Sequence, residues 1–239
     1  MAGSALLLGA AVGYLVPLSQ RTVAAVMAVG AGVLISALSF ELMEKAASEG
    51  GLLATSVGFL AGAGTYSLFN WLLNQRGAQH RKRSGYSEQN KQSGDGSGAS
   101  IALGALLDGV PESIVIGVSL LEGKGVSAVT VAAVFLSNLP EGLSSAAGMK
   151  RAGRGSGYIF GVWSAIAIAS GLSAIAGNVL LADAARSTLS ATTAVAAGAI
   201  LAMLADTMMP EAWEGSHEFT GLLTVLGFLA AFVFSQLGG

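Results

Sequence analysis

Residues 103–120 read LGALLDGVPESIVIGVSL, and residues 132–149 read AAVFLSNLPEGLSSAAGM. Each is an apolar stretch with a Pro-Glu pair near its middle. A helix needs about 20 mostly apolar residues to cross a bilayer, and an ionisable residue at that depth is costly. In the first stretch Asp108 and Glu112 stand at i and i+4, on one helix face, with Pro111 between them. In the second, Asn138 and Glu141 stand at i and i+3 around Pro140. Ser137 lies four residues before Glu141, the spacing of Asp108 to Glu112. Each proline removes one helical hydrogen bond, so the helices are expected to bend and to free the carbonyls of Leu107 and Leu136.

The rest of the chain has the same character. Of its 239 residues 53% are hydrophobic and 11% charged, against roughly 25% charged in soluble domains. The 34 glycines suit close helix packing in lipid. Absence of cysteine excludes disulfides and thiolate metal sites. The net charge of -2 gives no reason to expect nucleic acid as a partner. The expected fold is an all-α membrane protein, one transport domain over 1–239. Its eight transmembrane helices fall near 2–18, 22–43, 51–74, 99–121, 125–149, 156–181, 188–209 and 219–237. The first is short. Met1 to Pro17 is apolar, as in a signal peptide, but it lacks a basic start and continues into the next span, so it is read as a span. Gly-x-x-x-Gly pairs at Gly9/Gly13, Gly58/Gly62 and Gly157/Gly161 support tight packing without identifying a dimer face.

Residues 75–98 are polar and rich in Gly and Ser, and are expected to form a flexible cytoplasmic loop between the third and fourth spans. His80 in this loop is read as part of a solvated basic segment. With both termini outside, nine basic residues lie inward: Arg21, Arg76, Arg81, Lys82, Arg83, Lys91, Lys150, Arg151 and Arg154. Only Lys45, Lys124 and Arg186 lie outward. Excess Lys and Arg on the cytoplasmic side is the rule, and the expected location is the plasma (inner) membrane.

Adjacent spans run in opposite directions, so the two Pro-Glu devices can face each other at mid-depth. Interrupted helices at the midplane are how many transporters build ion sites. Converging carboxylate, amide and carbonyl oxygens suit a divalent cation. Asp108, Glu112, Ser137, Asn138 and Glu141 are the candidate central metal ligands. Glu41, near the outer end of the second span, and Asp206, near the inner end of the seventh, mark an expected entrance and exit. Glu44 and Glu211 read equally well as interfacial acids. Glu214 and His217, at i and i+3, read as a solvated pair. Two other functions fit the same residues. One is a membrane enzyme using Asp108 and Glu112 as acid and base, the other a transport-incompetent metal receptor or proton conductor.

The pair DGVPES (108–113) and SNLPEG (137–142) resembles the two central motifs of the ZIP (Zrt/Irt-like) family of divalent metal transporters, in particular its bacterial GufA-like branch. Eight spans, outward termini and a basic loop after the third span resemble that family as well. The resemblance implies a homodimer moving zinc, or iron, manganese or cadmium, toward the cytoplasm. It implies metal ligands at Asp108, Glu112, Ser137, Asn138 and Glu141, with Glu41 and Asp206 at the two mouths. This chain departs from the family where His-Asn is usual in the fourth helix and Asp108-Gly109 stands instead. It departs again at Ser137, at Ala205-Asp206 where His-Glu is usual, and in a sixth span with no glutamate. One metal position looks intact and a second largely lost, and the expected selectivity for zinc is lower than the family norm.

Overall fold

The computed structural model describes residues 2–75, 97–122, 128–151 and 153–238. Most of the expected cytoplasmic loop, His80 included, and Lys124 lie outside the described residues. Among the described residues the chain is all helical. The helices are α1 (Ala2–Leu15), α2 (Gln20–Ala37), α3 (Glu44–Gly50), α4 (Leu52–Gln75), α5 (Ser97–Ser119), α6 (Ala128–Arg151), α7 (Ser156–Leu180), α8 (Arg186–Met203), α9 (Met209–Ser216) and α10 (Thr220–Gly238). Four runs, Gln20–Gly50, Leu52–Gln75, Ser156–Leu180 and Arg186–Leu237, are long and apolar enough to cross a membrane.

Helix ends follow local chemistry. The Ser19 side chain accepts from the Thr22 amide and starts α2. α3 stops at Gly51, whose φ of 79° with ψ of 157° is an extended positive-φ conformation that glycine adopts readily. The second span therefore runs past its expected end at 43 to Gly50. Its backbone passes through a π-helical turn, Leu38–Met43, that carries Glu41. A second π turn, Leu204–Met208, joins α8 to α9 and carries Asp206.

Among the described residues the chain forms seven contiguous helical runs, not the eight expected. The reason lies at the C-terminus, where Arg186 to Gly238 is helical throughout, passing through the π turn and a 3-10 turn at His217–Phe219. The direction of the chain still reverses there. A Cβ on Gly215 would press on Ala24 near the start of α2, whereas further along α10 Phe228 and Phe232 pack on Phe40 and Ser235 bonds Glu41. So α9 descends along α2 and α10 climbs back beside it. His217, at φ 43°, sits at the reversal.

An internal repeat organises the bundle. Residues 28–38, AVGAGVLISAL, match residues 194–204, AVAAGAILAML, and each segment leads into a π turn with an acid. Gly32 lets α10 approach at the Thr224 carbonyl, and Gly198 lets α4 approach at the Phe59 carbonyl. In return Gly227 of α10 seats on Val29 and Gly62 of α4 on Val195, so α10 stands to α2 as α4 stands to α8. Gly50 lies against Ser190 and Gly215 against Ala24, which makes the two repeated rods antiparallel. Of the three Gly-x-x-x-Gly pairs, Gly9/Gly13 packs on α6 and Gly58/Gly62 on α8, while a Cβ at Gly157 or Gly161 would meet no other element within 4 Å.

The rod of α2 and α3 is central and mostly buried, whereas α4 and α7 are mostly exposed. Val23, Met27, Leu34 and Leu38 of the rod of α2 and α3 and Ile200, Met203 and Leu204 of the α8 rod form the main core. Leu53, Leu60, Leu172, Val179, Leu222 and Leu229, on α4, α7 and α10, are exposed. Outward apolar faces of this extent belong against hydrocarbon, as expected of a helical membrane protein.

Candidate metal site

α5 and α6 cross the bundle as unbroken helices with Pro111 and Pro140 inside them. Glu112 and Val115 of α5 share one narrow space with Val134, Ala133 and Thr130 of α6, so the two helices run antiparallel there. Asp108, Glu112, Ser137, Asn138 and Glu141 are all buried, Asp108 to 1% and Glu112 to 2% exposure. All five expected central residues thus sit inside the bundle on the two crossing helices.

Their partners give the site its shape. The Ser137 hydroxyl lies 3.3 Å from Glu112 Oε1 and 3.0 Å from the Val134 carbonyl, and its proton serves these two acceptors. This bond directly joins the two Pro-Glu helices. Asp108 Oδ1 accepts a 2.7 Å bond from the Tyr66 hydroxyl on α4. Ser113 returns its proton to the Gly109 carbonyl at 2.7 Å, a local bond that spares the helix a buried polar group. Gly109 itself backs on α7, where a Cβ would stand 3.1 Å from Ser170 Oγ. An asparagine at 109 would meet that same hydroxyl, which explains the small residue. The Leu136 carbonyl, freed by Pro140, is turned to α2, 3.2 Å from where a Cβ on Gly30 would lie. That carbonyl belongs to the α2–α6 contact.

One helical turn beyond Glu141, Ser144 donates a 2.6 Å bond to Glu211 Oε1 on α9, and both residues are buried. Ser137, Glu141 and Ser144 lie at i, i+4 and i+7 of α6, so Glu211 continues one line of oxygens from the central residues. Asp206, the expected inner exit, is exposed on the other side of its helix. Glu41, the expected entrance, is half-buried and accepts 2.7 Å from Ser235 of α10. Tyr66, Ser144 and Ser235 carry no motif in the sequence. Ser137, by contrast, stood out through its spacing.

Among the described residues no group of three or more His, Asp and Glu could hold a metal ion together. Asp108, Glu112 and Glu141 therefore do not form a three-acid cluster. A cation here would draw on fewer carboxylates, together with hydroxyl and amide oxygens. At the C-terminal end of α6, Lys150 donates to the Tyr14 carbonyl and lies 4.8 Å over the Tyr14 ring, and Arg154 lies 5.2 Å over the Tyr158 ring. No family model matches the chain, and no curated protein matches it.

Proposed function

We propose that this chain carries divalent metal cations across the bilayer toward the cytoplasm, through a mid-membrane oxygen site between α5 and α6. The observation that carries the reading is the bond between buried Glu112 and Ser137 across two proline-containing helices, with Asp108, Asn138 and Glu141 buried beside them. A charged side chain is retained at such depth where it serves an ion path or a relay. The likeness of DGVPES and SNLPEG to the ZIP motifs supports the same reading, with zinc first and iron, manganese or cadmium also accepted. Few strong ligands suit a carrier, because an ion must bind well enough to enter and weakly enough to leave. Hydroxyl, amide and carboxylate oxygens accept hard divalent ions.

The same proposal takes the seven runs as eight crossings, with the last run folded back at His217, and pairs two such protomers in a homodimer. It places both termini outside. Arg21, Lys150, Arg151 and Arg154 lie near one end of the bundle, where α1 and α6 finish and α2 and α7 begin, and Lys45 and Arg186 lie near the other. This separation supports the positive-inside orientation, with Tyr14 and Tyr158 as interfacial rings under the cations. The test is uptake of zinc, manganese and cadmium into proteoliposomes of the full chain, beside Glu112→Ala and Glu141→Ala. Metal-dependent uptake lost in both variants is expected. Equal uptake in wild type and variants would sink the site. Orientation is read from single cysteines at 75–98, in a chain that has none, which should resist an impermeant thiol reagent in intact cells.

A further inference from the structure

Tyr66 is the largest side chain on the buried stripe of α4, which otherwise consists of Thr55, Gly58, Gly62 and Asn70. Most of that helix faces outward, so a fully buried phenol on it is an exception. Its ring borders an apolar cavity of about 430 Å³ between α4, α5 and α8, lined by Phe69, Leu107, Pro111, Val195 and other apolar groups. Its hydroxyl is spent on α5, at 2.7 Å from Asp108 Oδ1. A phenol is a donor at any neutral pH, and a bond from it to a carboxylate in a water-poor setting is among the stronger kinds.

We propose that Tyr66 is a positioning residue that holds Oδ1 of Asp108 and fixes the orientation of its carboxylate, which disfavours two-oxygen binding of a cation, so that the site favours small divalent ions over large ones. The inference rests on the transport reading above. Carboxylates that bind through both oxygens suit large cations with long metal–oxygen distances, whereas small ions take tighter, single-oxygen contacts. A hydrogen bond on Oδ1 takes one of that oxygen's two lone pairs and sets the rotation of the carboxylate about its Cβ–Cγ bond, which weighs against two-oxygen binding. Partners that orient metal ligands in this way are worth about 10- to 100-fold in affinity or activity in known metal sites.

The experiment is Tyr66→Phe in the full chain, which keeps the ring that packs α4 against α5 and removes the hydroxyl alone. Zinc and cadmium uptake are measured in liposomes for wild type, Tyr66→Phe, Asp108→Asn and the double variant. Cadmium is the larger ion. The cadmium-to-zinc ratio should rise at least roughly threefold in Tyr66→Phe, the low end of what such partners control. That rise should vanish in the Asp108→Asn background. Infrared spectra give a second readout. The carboxylate bands lost in Asp108→Asn belong to Asp108, and in metal-loaded Tyr66→Phe their splitting should narrow, as two-oxygen binding requires. An unchanged ratio and splitting in Tyr66→Phe, with wild-type uptake intact, would overturn the role of Tyr66 alone. A ratio change that persists without Asp108 would overturn it too. No uptake by the wild type would sink the transport reading and the selectivity role together.

Discussion

Asp108 on α5 and Ser137 on α6 each stand four residues before the glutamate of a Pro-Glu pair, on helices that cross antiparallel. The two positions do opposite work. Asp108 accepts a hydrogen bond from Tyr66, while Ser137 gives its proton to Glu112 and to the Val134 carbonyl. The α5 side is therefore the acceptor side, with two carboxylates on one face. The α6 side supplies a donor, an amide and one carboxylate. Matched spacing in two helices thus yields unequal halves, because a serine hydroxyl has a proton to place and an ionised carboxylate has none.

This inequality is open to test. The largest effect expected is loss of uptake in Glu112→Ala and in Glu141→Ala. If the halves are unequal, Glu112→Ala should also loosen the α5–α6 contact that Ser137 makes, lowering thermal stability more than Glu141→Ala does. Differential scanning of the purified variants measures the difference, and a greater loss with Glu141→Ala would reverse the assignment. Next comes Asp108→His. Imidazole favours zinc over manganese more than carboxylate does, so zinc should gain on manganese in competition uptake at equal free metal. A preference that stays put, or moves toward manganese, would remove residue 108 from the ligands.

Ser137→Ala should weaken apparent affinity by roughly 10-fold with maximal rate largely kept, the size typical of partners that orient a ligand. Concentration-dependent uptake reads this directly, and a fall in maximal rate alone would place Ser137 elsewhere in the cycle. The smallest effect concerns pH. Metal ligands must shed protons to bind, so apparent affinity should fall as pH drops from neutral to mildly acidic. A binding constant flat with pH in the wild type would count against carboxylate ligation on either helix.

The two repeated rods show where sequence reading stops. Segments 28–38 and 194–204 are identical at five of eleven positions, yet in a chain with 34 glycines such Ala- and Gly-rich matches gain weight only once contacts pair them. Glu41 and Asp206 were equivalent in prospect, one mouth acid for each rod. In the structure Glu41 is half-buried on Ser235, Asp206 is exposed, and Glu211 takes the inner face with Ser144. The two acids do not stand at matching places in the repeat: Glu41 is three residues after Leu38, Asp206 only two after Leu204, and each residue turns a helix face by about 100°.

Local pattern alone determined the helical class, the apolar runs and the burial of Asp108, Glu112, Ser137, Asn138 and Glu141, because run length and the cost of polar groups in lipid act on each segment separately. Tertiary structure alone decided that the last run folds back at His217 without losing its helix, that Tyr66 reaches Asp108 across 42 residues of chain, and that Glu211 replaces Asp206 on the inner face. Those outcomes depend on helix phase after a π turn and on which glycines let two backbones touch, and both are set by neighbours distant in sequence.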